Sequence, residues 1–260
     1  MKIKQTVFKF PQKINVYGQS HDCINGITID YKNRHFRLPF VEDINNGLEL
    51  KIKNYLIKNA DCDSINNKRL LFYLDSIKLT FKGINYNFDD IIFDLKDTKS
   101  SFRKIKLNGK IEQLSEVRNI LKKNNNIKIR LDGNQQLNQT FITPLNELYI
   151  DFKKNIEFIE EPFSSIDNNH LLSIPIAYDE SLDFQNIQDF QKIIILKPVL
   201  IGSIEQILAV IKKNSHRKII LSSFYEPPEL YSGYKKLIDE LNCQSINKET
   251  IHGLSTYKYW

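Results

Sequence analysis

Short β-like runs that end on a charged residue constrain this chain more than any other feature. KIRLD reaches Asp132, IEFIEE reaches Glu160 and Glu161, IPIAYDE reaches Asp179 and Glu180, and KIIILKP reaches Lys197, while FRKIKL carries Lys104 and Lys106. From Lys106 to Asp132, Glu160, Asp179 and Lys197 the steps are 26, 28, 19 and 18 residues, each the length of one βα repeat. Near-continuous apolar runs alternating with helical segments describe strands buried on both faces of a parallel sheet. In a closed (β/α) barrel the strand C-termini open onto one rim, so these charged residues are expected to converge there.

The surrounding segments fit that grammar. Ile111 to Lys123 and Ser203 to Lys213 have helical apolar spacing, the second with Ser203 as N-cap after Gly202. The connections 161–174 and 179–192 have room for only a turn or two of helix. Before residue 80 the pattern differs: alternating segments at Lys2 to Phe10, Lys13 to Tyr17, Gly26 to Tyr31 and His35 to Leu38 precede a helical stretch from Ile44 to Ala60. Strands followed by helix predict a small α+β domain. A further strand is expected at 84–88.

Length and composition exclude more than they select. A chain of 260 residues suffices for a (β/α) barrel, which needs about 250. No apolar run approaches the roughly 18 residues of a membrane span, and the N-terminus alternates instead of forming the apolar core of a signal peptide, so a cytoplasmic location without membrane association is expected. The net charge of +6 is spread over scattered lysines with no basic stripe, which argues against nucleic acid as partner. Cys23, Cys62 and Cys243 are odd in number and lack metal-ligand spacing; they read as reduced, partly buried thiols. The five histidines form no ligand spacing either. Oligomeric state is not legible.

Three carboxylates gathered from neighbouring strands repel one another unless a cation holds them. An all-oxygen donor set favours Mg²⁺, with Mn²⁺ as a substitute. Lysines flanking such a site can act as acid and base, an apparatus for removing a proton next to the carboxylate of a small-molecule substrate.

The motifs that carry this chemistry are Lys104-Ile105-Lys106, Arg130 to Asn134, Glu160-Glu161-Pro162, Asp179 to Leu182, Lys197 to Ser203, Ser222-Ser223 with Glu226, and Ile251 to Thr256. In this order the chain resembles the enolase superfamily, in its muconate-lactonizing branch, and within that the o-succinylbenzoate synthase family. The resemblance implies a (β/α)7β-type modified TIM barrel with a small N-terminal α+β capping domain: residues 1–80 as the reduced cap, 81–245 as barrel, and 246–260 completing one or the other. It implies Asp132, Glu160 and Asp179 as ligands of Mg²⁺, Lys106 as acid/base and Lys197 as the lysine on the other face of the substrate. Lys104 is expected to hold down the pKa of Lys106 by like-charge repulsion. Arg130, Asn134 and Glu226 are expected to support the ligands, and backbone groups around Gly202, Ser222 and Ser223 to hold a succinyl tail. The implied reaction is the syn-dehydration of 2-succinyl-6-hydroxy-2,4-cyclohexadiene-1-carboxylate to 2-succinylbenzoate, a step of menaquinone synthesis, through α-proton abstraction and a metal-stabilised enediolate. Dipeptide epimerisation, N-acylamino acid racemisation and a barrel that only binds are the alternative readings. Phe163, Phe224 and Tyr225, which follow strand ends, line a pocket or pack in the core. The sequence departs from the family at Arg34 to Phe40, where a different loop is usual, and at Pro227-Pro228, where small residues normally follow the glutamate.

Overall fold

The computed structural model describes residues 1–16, 19–41, 46–58, 65–82, 102–179, 181–184, 186–248 and 250–254. Two compact units divide the chain: Met1–Ile92 with Lys197–His216 and Leu221–Trp260, and Phe93–Leu196 with Arg217–Ile220.

The first unit begins with an antiparallel meander of β1 (Lys2–Val16), β2 (Gln19–Tyr31) and β3 (Arg34–Pro39). Alternation sets its buried face, with Ile27, Ile29 and Leu38 fully enclosed. The two strands expected before residue 17 form one, because the chain passes Pro11 through a register irregularity between Lys9 and Ile14 without leaving the sheet. β1 is an edge strand, where a residue without an N–H is tolerated.

Two helices follow, α1 (Asn46–Lys58) and α2 (Lys68–Phe81). The first lies within the stretch that helical spacing predicts. The second was not expected: Leu70 to Leu74 is an unbroken apolar run, which has no helical stripe because α2 is buried nearly all round. Its start is set by Asn67, whose side chain accepts from the Leu70 N–H at 3.0 Å. In the same unit α2 packs against α5 (Pro198–Ile201), α6 (Ile204–Lys213) and α7 (Ser232–Asn242). Asp75 ties three of these together: it accepts from the Ile204 N–H at 2.8 Å and from the Tyr55 hydroxyl of α1. Ser203 caps α6 as expected, in a reciprocal capping box with Gln206.

The second unit holds a parallel sheet of β4 (Phe102–Lys106), β5 (Lys128–Asp132), β6 (Ile156–Glu160), β7 (Ile176–Tyr178), β8 (Ile193–Leu196) and β9 (Lys218–Leu221), whose spatial order is the sequence order. A doubly wound sheet reverses its order at a switch point; a sheet that always adds the next strand on the same side is wound in the manner of a barrel. One face packs on α3 (Glu112–Lys123) and α4 (Ile142–Phe152) through Ile129, Leu131 and Ile159 against Leu114, Val117, Leu145 and Leu148. The opposite face carries Phe158, Ala177, Ile195 and Ile220. Between β6 and β7 there is one 3-10 turn, Ile166–Leu171, and between β7 and β8 no helix among the described residues.

In the first unit, beyond β9, Gly253 bridges Ser222 in parallel, with the Gly253 N–H donating to Leu221 O at 2.8 Å and the Ser223 N–H to Gly253 O at 3.0 Å. The returning chain therefore meets the segment beyond β9 at Gly253. The strand expected at 84–88 lies outside the described residues, as do Cys62, Glu180, Ser255 and Thr256. Cys23 and Cys243 are exposed, not partly buried; one sits on the far part of β2, the other just past the end of α7. No described helix is long and apolar enough to cross a membrane.

Candidate active site

Strand register brings the central residues together. Lys106 pairs with Asp132, and Asp132 with Glu160, at the last positions of β4, β5 and β6. Residues paired across parallel strands share a face, so the three side chains form a row. Glu160 pairs with Ala177, and Asp179 follows two residues later, just past the end of β7. All three acids are buried, Asp132 at 4%, Glu160 at 5% and Asp179 at 8% exposure.

Lys104, one pleat below Lys106, reaches up into this row. Its ammonium contacts both Glu160 oxygens at 2.8 and 2.7 Å and Asp132 Oδ2 at 3.0 Å. Burial alone would lower its pKa, but the carboxylates of Glu160 and Asp132 outweigh it and raise the pKa well above the usual lysine value. Lys104 is thus the counter-ion of two buried carboxylates. Lys106 is mostly solvent-exposed, with Nζ 4.0 Å from Asp132 Oδ2.

The C-terminal end of these strands is shaped by two turns that interlock. The Gly133 N–H donates to Glu160 O at 2.8 Å and the Gln135 N–H to Glu161 O at 2.7 Å. A side chain at Gly133 would begin 2.5 Å from Pro162 Cα, so the glycine after Asp132 is what lets the turn after Glu160 approach. The Asn134 N–H donates to Asp132 Oδ1 at 3.1 Å, which leaves Asn134 a backbone role here.

Sequence reasoning overlooked Glu161. Its Oε1 accepts from the Asp179 N–H at 2.7 Å, the Ser181 N–H at 3.0 Å and the Ser181 hydroxyl at 2.6 Å, and its Oε2 from Gln135 Nε2 at 3.2 Å. Its positive φ of 40° turns it away from the path of Glu160. Adjacent strand residues point to opposite sides, so the doublet of acids was the signal that one of them serves another task.

Arg130 belongs to a second charged group. It lies one pleat below Asp132, stacked between Phe102 and Phe158 at 4.7 Å from each ring, and donates to Glu157 Oε2 at 2.7 Å. Glu157 additionally binds the Lys218 ammonium. Burial would raise the Glu157 pKa, but Arg130 and Lys218 bring it below the usual value. A register irregularity between Ile129 and Arg130 admits Glu157 to this face. The result is an Arg-Glu-Lys network beneath the acid row.

The remaining candidates lie in the first unit. Lys197 directly follows the last residue of β8, half-buried, as N-cap of α5 with Pro198 at the first helical position. Gly202 ends that helix with φ 144°. Ser223 and Glu226 are buried and Ser222 partly so. His252 Nδ1 accepts from the Leu221 N–H at 3.1 Å. Phe163 belongs to the helix-side core, whereas the Phe224 ring meets Phe40 at a tilt and Tyr225 edge-on.

The donor chemistry of the row suits a hard cation. Two carboxylates already share one positive charge, the Lys104 ammonium, and every donor is oxygen. Among the described residues no three acidic, histidine or cysteine side chains stand close enough to cage an ion.

No protein-family model matches the sequence, and no curated protein does. Solved structures do. An o-succinylbenzoate synthase from Thermosynechococcus elongatus, complexed with Mg in the active site, is 12% identical, with all of this chain and 94% of that one superposed at a TM-score of 0.69. A dipeptide epimerase from Cytophaga hutchinsonii, complexed with Mg and a dipeptide, is 17% identical over 100% and 88% of the two chains at 0.64. An N-succinyl Arg/Lys racemase from Bacillus cereus is 14% identical over 100% and 89% at 0.63. At the level of fold, this chain has the α/β barrel-type architecture of these structures.

Proposed function

We propose that this chain is a Mg²⁺-dependent enzyme of the enolase superfamily that dehydrates 2-succinyl-6-hydroxy-2,4-cyclohexadiene-1-carboxylate to 2-succinylbenzoate, the o-succinylbenzoate synthase reaction. The observation that carries the reading is the in-register row of Lys106, Asp132 and Glu160, with one cation already bridging the two acids. Asp132, Glu160 and Asp179 would hold Mg²⁺, which when bound supplies positive charge to the substrate carboxylate as the adjacent carbon loses its proton. Lys106 Nζ takes that α-proton and returns it to the departing hydroxyl on the same face, so that water leaves and the ring becomes aromatic. The second lysine, Lys197, offsets developing negative charge on the other face. Lys104 holds Asp132 and Glu160 in place through its ion pairs with both. The residues before about 80 are the reduced cap, and Ser222, Ser223 and Gly202 receive the succinyl tail.

Two of the structural neighbours are a dipeptide epimerase and an N-succinyl Arg/Lys racemase, and a lysine on each face of a substrate α-carbon would suit proton transfer of that kind. The deciding experiment is ultraviolet detection of the aromatic product with Mg²⁺ present, beside polarimetry on N-succinylamino acids and dipeptides. Lys106→Ala and Lys197→Ala are each expected to abolish dehydration in a folded protein. Full activity in either variant refutes the mechanism; racemisation without dehydration reassigns the reaction.

A further inference from the structure

Glu226 is a fully buried carboxyl with an unusual division of labour between its two oxygens. Oε2 accepts from the Phe224 N–H at 2.6 Å, closing a tight turn in which Tyr225 takes φ 63°. Oε1 is buried and has no hydrogen-bond partner. Arg69 Nε and Tyr73 Oη, one helical turn apart on α2, are likewise buried without partners, and both act electrostatically on Glu226. Three unsatisfied polar atoms in one neighbourhood cost stability that an apolar core would keep. Such local violations collect where function requires them.

The turn above this cluster is held at each of its residues. Ser223 is laddered to Gly253, Tyr234 Oη of α7 donates to Ser222 O at 3.4 Å, and Phe224 is pinned by Glu226 while its ring packs under Arg69 at 5.0 Å. A non-glycine residue in the left-handed region persists only where its surroundings impose it.

We propose that Glu226 is a positioning residue, whose carboxyl latches the turn at 222–226 so that Ser222 and Ser223 are preset to receive the anionic tail of the substrate. The inference rests on the function proposed above. The groups that face Glu226 are Arg69 and Tyr73 from α2 and Tyr234 from α7. Burial pushes the Glu226 pKa up to about 7 against the hydrogen bonds and Arg69, so the latch changes charge near neutrality.

The test compares wild type, Glu226→Ala and Glu226→Gln by steady-state kinetics from pH 5.5 to 9 and by backbone hydrogen exchange. Glu226→Ala is expected to raise KM and speed exchange at 222–226 by about tenfold or more, the factor matching one lost charge-assisted hydrogen bond, with kcat little changed. Glu226→Gln, which keeps an acceptor for the Phe224 N–H, is expected to restore both and to flatten the pH dependence of KM near 7. Unchanged exchange in Glu226→Ala, or no rescue by glutamine, overturns the latch. Faster exchange in Glu226→Ala together with an inactive wild type supports the latch and refutes the reaction. Should Glu226→Ala not fold, Tyr234→Phe, which removes the hydroxyl bound to Ser222 O, is expected to raise KM in the same sense, and an unchanged KM overturns the proposal.

Discussion

Replacing Lys104 by methionine isolates what the bridge between Asp132 and Glu160 contributes. The ammonium lies 2.7 Å from Glu160 Oε2 and 3.0 Å from Asp132 Oδ2, both acids being nearly enclosed. At an effective dielectric constant of about 20 each leg is worth roughly 5 to 6 kcal/mol before desolvation is subtracted. Without the lysine, two carboxylates no farther apart than the two legs of the bridge repel by about 3 kcal/mol. Breaking one partner out of a buried ion pair typically costs about 3 to 5 kcal/mol, and that is the expected loss of unfolding free energy for Lys104→Met. The lysine pKa is raised in the folded protein, so its stabilisation is complete below the ordinary value of 10.5 and fades only as pH rises beyond it. The loss should therefore be level across the neutral range. Urea denaturation at pH 7.5 in a chelator measures it, and repetition with Mg²⁺ should recover more stability in the variant than in wild type, since an added cation replaces the missing one. A loss below about 1 kcal/mol, the size of an exposed ion pair, would refute the reasoning.

Gly133→Ala should destabilise by about 2 kcal/mol or more in the same denaturation assay, because its Cβ would begin 2.5 Å from the backbone of Pro162 and the 133 and 162 turns would have to part. Glu161→Ala removes three bonds to Asp179 and Ser181; faster proteolysis or hydrogen exchange at 179–184 and weaker Mg²⁺ binding by calorimetry are expected, and an unchanged pattern denies Glu161 its part in placing Asp179. Glu226 has a folded-state pKa of about 7 against 4.5 for the free group, so wild type is penalised as pH rises from 4.5 through 7. Glu226→Gln should match wild type near pH 4.5 and exceed it by about 3 kcal/mol above pH 8, as 1.36 kcal/mol per pKa unit implies; equal stability at pH 8 would show that the carboxyl is not forced to ionise in an apolar setting.

Much of the second unit was legible because its strands are short apolar runs with charged ends. The runs ending at Lys106, Asp132, Glu160 and Lys197 coincide with β4, β5, β6 and β8 to within a residue or two at these ends. α6 announced itself by Ser203 and a clear apolar stripe. α2 did not, since a helix buried all round shows no period in its sequence. The segment at 251–254 was legible as a motif but not as a strand, because a single bridge at Gly253 needs no β-pattern.

By itself, the sequence determined which residues stand at strand ends and in what order, because apolar periodicity and strand termini are local properties. Only the tertiary structure decided how the charges divide among themselves. Lys104 read as a neighbour that repels Lys106, and register makes it the counter-ion of Asp132 and Glu160. Arg130 read as a support for the acids, and an irregularity at Ile129 and Arg130 gives it Glu157 as a partner. Glu161 read as the second half of a motif, and a left-handed turn sends it to hold the backbone at Asp179. Ion pairs reach across strands over distances that a one-residue shift of register abolishes, and no local pattern carries that information.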